Sequence, residues 1–109
     1  MQVIESGVED LNLAALEGRL DTATVPAVEQ DLLALVKGKG LVLDLSGVRF
    51  VSSAGLRVLL KAAKAARAGG SGFAACGLQP AVHEVFEIGG FLQIIPTFAT
   101  RGEAIAALR

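Results

Sequence analysis

Two adjacent serines, Ser52 and Ser53, carry the hydroxyls best placed for chemistry in this chain. They follow the apolar run Leu41, Val42, Leu43, Asp44, Leu45, then a Ser46-Gly47 pair that reads as a turn, then a short apolar piece from Val48 to Val51. A long helical pattern starts after them at about Ala54. The first N–H groups of a helix lack intrahelical partners, and the macrodipole makes that end partly positive. A serine oxygen there caps the helix. A phosphate there is partly neutralised by the same donors and still adds roughly two negative charges. The pair therefore suits two roles. One is a cap. The other is an acceptor whose modification changes what the surface binds without unfolding the domain.

Beside the serines, Arg57, Lys61, Lys64 and Arg67 recur at one helical face, with Leu56, Leu59, Leu60 and Ala63 on the other. This is the pattern of a solvated face on an amphipathic helix. It is also a basic ridge able to meet an acidic partner, with Arg57 one turn from Ser53. Asp21 and Asp44 follow or interrupt apolar strands, where a carboxylate caps a neighbouring turn. His83 is the single histidine and has no Cys/His set around it, so the sequence holds no metal-site pattern. Ser-Ser-Ala-Gly is not a nucleophile elbow. Gly38-Lys39-Gly40 and Gly69-Gly70-Ser71-Gly72 lack phosphate-loop spacing and sit where helices give way to strands. There is no catalytic constellation of paired carboxylates either. No cofactor is expected.

The elements that position the serines follow from periodicity. Gln2 to Glu5 reads as a short edge strand and Leu11 to Leu16 as a second strand. Asp21, Thr22 and Thr24 are cap types, and Pro26 suits a first helical turn. Val28, Leu32, Leu35 and Val36 then share a helical face, ended by Gly38 and Gly40. Leu41 to Leu45 is the clearest strand, and the helix after the serines stops at Gly69-Gly70. Gly72 to Cys76 reads as a strand, Gln79 to Ile88 as a short helix, and Phe91 to Ile95 as a strand ending before Pro96. Thr100 caps a last helix, Arg101 to Leu108, with Ala104, Ile105 and Leu108 as its apolar side. Two strands followed by alternating helices and strands predict an α/β sandwich, a mixed sheet with helices packed on it.

Composition agrees. A chain of 109 residues suits a single domain, residues 1–109, with a small core. It holds five Phe and no Trp or Tyr, so the core is aliphatic and a base-stacking platform is disfavoured. A net charge of −1 gives no sign of nucleic-acid or anionic-membrane binding. Mean hydropathy is high at +0.57, yet no apolar run approaches the ~20 residues that span a bilayer. The N-terminus lacks a basic stretch followed by an apolar run, so no signal peptide is expected. The single Cys76 excludes an internal disulfide and fits a reducing, cytoplasmic setting.

The segment DLSGVRFVSSAGLRVLL, residues 44 to 60, resembles the signature of the STAS domain family, whose members include bacterial anti-sigma factor antagonists of the SpoIIAA and RsbV type. GRLDTATV, Gly18 to Val25, and VHEVFEIGGFLQII, Val82 to Ile95, resemble further family segments, and the likeness runs from about Leu11 to Phe98. Aligned on Gly55-Leu56, the family's phosphorylated serine falls on Ser53. The family's preceding aspartate falls on Ser52, and its Ser/Thr before the glycine falls on Ala54. The resemblance implies a non-enzymatic domain that binds a kinase of the anti-sigma type through Asp21, Ser52, Ser53, Ala54, Gly55, Arg57 and Lys61. That kinase brings ATP and Mg²⁺, phosphorylates Ser53 and so releases the domain, and a serine phosphatase resets it. A monomer or weak homodimer is expected. Other family domains are scaffolds or cytoplasmic partners of ABC transporter ATPases, in which Ser53 is a docking residue and never modified. A weaker third reading is a domain binding a nucleotide or other small ligand in the same loop region.

Overall fold

Five strands pair in chain order into one sheet in the computed structural model, which describes every residue except Glu5. The strands are β1 (Gln2–Ile4), β2 (Leu11–Leu20), β3 (Gly40–Val51), β4 (Phe73–Cys76) and β5 (Thr97–Phe98). The helices are α1 (Val25–Leu35), α2 (Ser53–Ala68), α3 (Pro80–Ile88) and α4 (Arg101–Leu108). β1 runs antiparallel to β2, and β2 through β5 are mutually parallel. The expected mixed sheet with packed helices is the observed one. The residue Glu5 of the expected edge strand lies outside the described residues.

Helices cover both faces of the sheet, which is why β3 is a continuous apolar run. Leu41, Val42, Leu43 and Leu45 are all fully buried. Leu41, Leu43, Leu45 and Val48 pack with Leu32 of α1, Leu56, Leu59, Ala62 and Ala66 of α2, and Val82 and Phe86 of α3. Val42 points the other way, to Leu11, Leu13, Ala74, Cys76 and Ala104 of α4. Burying each Leu or Val contributes about 1.5–3 kcal/mol. The core is aliphatic, as the composition requires, with Phe86 and Phe91 tilted against each other at 6.4 Å.

Two expected features differ. Ser46-Gly47 is not a turn. β3 runs through it, with one extra residue opposite β2 between Asp44 and Gly47 and another between Val48 and Phe50. The Asp44 carboxylate accepts from Ser46 N–H at 2.9 Å, so the side chain supports a bulge where a turn was read. Phe91 to Ile95 is not a strand. Phe91–Gln93 forms a 3₁₀ turn, closed by Ile94 and Ile95 N–H groups donating to the Phe91 carbonyl. Phe91, Leu92 and Ile94 pack on the core from that turn, and the sheet resumes at Thr97.

Among the described residues, Asp44 is the one buried polar residue of the core. Its second carboxylate oxygen accepts from Arg101 Nε at 2.5 Å, which fixes the start of α4 to the middle of β3. Burial opposes its charge, but hydrogen bonds from Ser46 and Arg101 hold its pKa below the ordinary 3.8. A carboxylate with a lowered folded pKa stabilises above its unfolded value and loses that contribution as pH falls through the folded one. Acid unfolding is therefore expected to steepen below about pH 4. Asp44→Asn should flatten that limb in a pH series of thermal melts.

Candidate functional site

The serine pair sits where β2, β3 and α2 meet. Ser52 N–H donates to the Leu20 carbonyl at 2.9 Å, tying the end of β3 to the end of β2. Ser52 is extended (φ −82°, ψ 172°), and its hydroxyl oxygen accepts from Gly55 N–H at 3.2 Å. That is an N-cap, so the first hydroxyl of the pair is committed to the helix. Ser53 is the first residue of α2, one earlier than the sequence pattern suggested, and its side chain is exposed. Ser53 is exposed at the helix N-terminus, as expected, and the cap is the neighbouring Ser52.

Gly55 explains why α2 starts so close to the sheet. A Cβ at this position would lie 2.7 Å from the Leu20 carbonyl oxygen and 2.9 Å from Leu20 Cγ. Backbone oxygen cannot yield as a side-chain tip can, so only glycine allows the helix end and the β2 end to touch. Ala54, the half-buried residue between Ser53 and this contact, adds no hydroxyl.

Asp21 follows Leu20 directly and so stands at the same end of the sheet. Its carboxylate accepts from Ala23 N–H at 3.1 Å, Thr24 N–H at 3.3 Å and Arg19 Nε at 3.3 Å. Desolvation would raise its pKa, but these bonds, with Thr24 the leading one, carry it below the ordinary 3.8. Asp21 is thus a turn-holding carboxylate that begins α1. Thr24, at the cap position, uses its hydroxyl on the Arg19 carbonyl and Asp21 N–H rather than on the helix.

The basic stripe of α2 is exposed along its length, but its members differ. Lys61 Nζ donates to Glu29 of α1 at 2.6 Å. Arg67 reaches the Ile94 carbonyl at 3.4 Å. Among the described residues, Arg57 has neither an ion pair nor a side-chain hydrogen bond, and it is the cation of the stripe nearest Ser53 in sequence. An exposed pair such as Lys61–Glu29 contributes about 0–1 kcal/mol, so it positions Lys61 more than it stabilises the fold.

One feature of the site escaped the sequence reading. The Arg19 guanidinium lies 4.3 Å from the Phe50 ring centroid, and Phe50 is 41% exposed. The register pairs Arg19 with Phe50 across β2 and β3. The bulges set that register, and they were invisible in the sequence.

The other candidate groups are elsewhere. His83 lines a groove with Gly77, Leu78, Thr97, Phe98 and Ala99 at the β4–β5 side, and no hydrogen bond joins it to Ser53. Cys76 is buried, and burial together with the Asp44 charge pushes its thiol up to about 11, which leaves it inert near neutral pH. Among the described residues no cluster of His, Cys, Asp or Glu is arranged to hold a metal ion. No helix among the described residues is long and apolar enough to cross a membrane. The site therefore offers an exposed hydroxyl at a helix N-terminus.

Comparison with known proteins fits this arrangement. Residues 7–104 match the family described as STAS domain. BtrV of Bordetella bronchiseptica, an anti-sigma factor antagonist by name, is 40% identical over 111 residues, covering 100% of this chain and 96% of BtrV. An anti-sigma F factor antagonist from Paenibacillus polymyxa is 27% identical over 99 residues, covering 88% of this chain and 85% of that protein. The crystal structure of an anti-sigma factor antagonist from Mycobacterium paratuberculosis superposes with a TM-score of 0.86 at 28% identity, covering 98% of this chain and 91% of that one. The chain belongs to the STAS domain family.

Proposed function

We propose that this chain is an anti-sigma factor antagonist whose binding is switched by phosphorylation of Ser53. It is a substrate and a partner rather than an enzyme, and it works in the cytoplasm. The partner is a serine kinase of the anti-sigma type, which supplies ATP and Mg²⁺, and a serine phosphatase restores the binding form. The observation that carries this reading is the exposed Ser53 hydroxyl at the first position of α2, beside a Ser52 hydroxyl already used as the cap.

The switch is electrostatic. The docking face is the end of the sheet around Leu20 and Asp21 with the first turns of α2, including Ala54, Gly55, Arg57 and Lys61. A phosphate on Ser53 adds roughly two charges that α2's first N–H groups and Arg57 partly offset while the surface is wet. Desolvating that phosphate in a contact costs several kcal/mol unless the partner pairs it. On the order of a hundredfold in affinity needs only ~2.7 kcal/mol. The fold is unaffected because Ser53 makes no bond that holds it.

The test is mass spectrometry after incubation with the cognate kinase, ATP and Mg²⁺. One phosphate is expected on Ser53 and none in Ser53→Ala, whose circular dichroism stays native. Phosphate on Ser52 would show that the cap hydroxyl is the acceptor. No phosphate on either serine would favour a docking subunit of a scaffold or transporter.

A further inference from the structure

Arg57 stands one turn beyond Ser53 on α2, and both residues are exposed. Residues four apart in a helix are neighbours, with about 5–6 Å between Cβ atoms. Long helical side chains lean back toward the N-terminus, so the space open to Arg57 includes the turn that begins at Ser53. At this spacing an anion N-terminal to a cation is the favourable order.

Among the described residues, Arg57 takes part in no ion pair of the unmodified chain. The first turn of α2 holds no acidic residue. The carboxylates of the neighbouring elements are engaged elsewhere. Asp21, beyond the end of β2, accepts from Ala23 N–H, Thr24 N–H and Arg19 Nε, and Glu29 of α1 accepts from Lys61. The other cations do not duplicate Arg57. Arg19 is held by Asp21 and lies over Phe50. Lys61 is two turns from Ser53 and holds Glu29. Arg49 lies four residues back along extended β3, about 13 Å of strand from Ser53.

We propose that Arg57 is the moving part of the switch. While Ser53 is unmodified, Arg57 pairs with an acidic group of the partner. Once Ser53 carries a phosphate, Arg57 turns back one helical turn and pairs with that phosphate instead. A guanidinium fork fits a carboxylate or a phosphate by two parallel bonds, so either anion holds it and each excludes the other. Phosphorylation then acts twice on one face, by adding roughly two negative charges and by withdrawing a cation. This role rests on the proposed phosphorylation of Ser53 and adds a second source of lost affinity to it.

Phosphoserine placed at residue 53 by semisynthesis tests the pair without any kinase. A ³¹P NMR titration reads the second pKa of the phosphate, ordinarily about 6. An adjacent cation lowers it. It is expected to rise by about 0.3 unit in Arg57→Gln and by less in Arg57→Lys, which keeps the charge but not the fork. Titration against the kinase that modifies Ser53 reads the other half. Unphosphorylated Arg57→Gln is expected to bind about three- to tenfold more weakly than wild type. Phosphorylation should then cost it correspondingly less affinity, because the cation is already gone. A phosphate pKa that is the same with Arg57 and with Gln overturns the proposal. So does an equal loss of affinity on phosphorylation in wild type and Arg57→Gln, an outcome that leaves the Ser53 switch standing. Equal affinity of phosphorylated and unphosphorylated wild type removes the switch itself, and this role with it.

Discussion

Ser53→Glu is expected to lower affinity for the kinase partner by about tenfold or more, with the unfolding midpoint flat or slightly raised. The two effects part because they have different origins. At the first position of α2 a carboxylate meets the positive end of the helix, which is worth ~0.3–1 kcal/mol to the fold. Ser53 is exposed and holds no structural bond, so nothing is lost in exchange. In the complex the same carboxylate must leave water. Glutamate carries less charge and fewer acceptor oxygens than a phosphate, so the loss should be smaller than that from phosphorylation. Calorimetric melts and a titration against the partner measure the two quantities on one sample. Unchanged affinity would place Ser53 outside the interface.

The largest stability effect is expected from Gly55→Ala. Alanine normally favours a helix over glycine by up to about 1 kcal/mol. Here its Cβ must displace the Leu20 carbonyl, which also accepts the Ser52 N–H. Overpacking of this kind costs about 1–3 kcal/mol, and it separates the β2 end from the α2 end at the cap. A net loss of about 1–2 kcal/mol is expected, a fall of roughly 4–8 °C in midpoint per kcal/mol. Gly102→Ala in α4 is the contrast. The nearest atom to its Cβ position is Thr100 Oγ1 at 4.0 Å, so helix propensity acts alone there and the midpoint should rise. Equal responses at both glycines would show that the close approach at Gly55 is not limiting.

The Gly55 contact also shows why the central motif could be read from the sequence. A glycine inside the first turn of an amphipathic helix has no propensity reason to be there. The structure supplies a steric one, at the same glycine on which the family resemblance was aligned. Most elements were legible for similarly local reasons. Pro26 and Pro80 lie in the first turns of α1 and α3, and the Thr100 hydroxyl accepts from Glu103 N–H as a cap should. The misreadings occurred where local chemistry has two outcomes. Ser46-Gly47 is a good turn pair, but flanking strand pairing and the Asp44 side chain keep it extended as a bulge. Phe91 to Ile95 is apolar enough for a strand, and such a run does not reveal whether it is buried in a ladder or by folding back on a helix.

Contacts distant in sequence were not legible. Asp44 and Arg101 are 57 residues apart, and nothing in either neighbourhood names the other. Lys61 reads as part of a free basic ridge until α1 is packed beside α2, when Glu29 takes it. Arg19 over Phe50 depends on two bulges that shift the register of β2 against β3. In each case the partner is chosen by the packing of whole elements, and single-sequence periodicity describes elements one at a time.

The central claim is that one phosphate on Ser53 releases a partner without disturbing the fold. Isothermal titration of the cognate anti-sigma kinase with the unphosphorylated chain and with the chain phosphorylated on Ser53 tests it most directly. Affinity is predicted to fall by on the order of a hundredfold or more on phosphorylation, with matching circular dichroism spectra for the two forms. Equal affinity of the two forms would contradict the account.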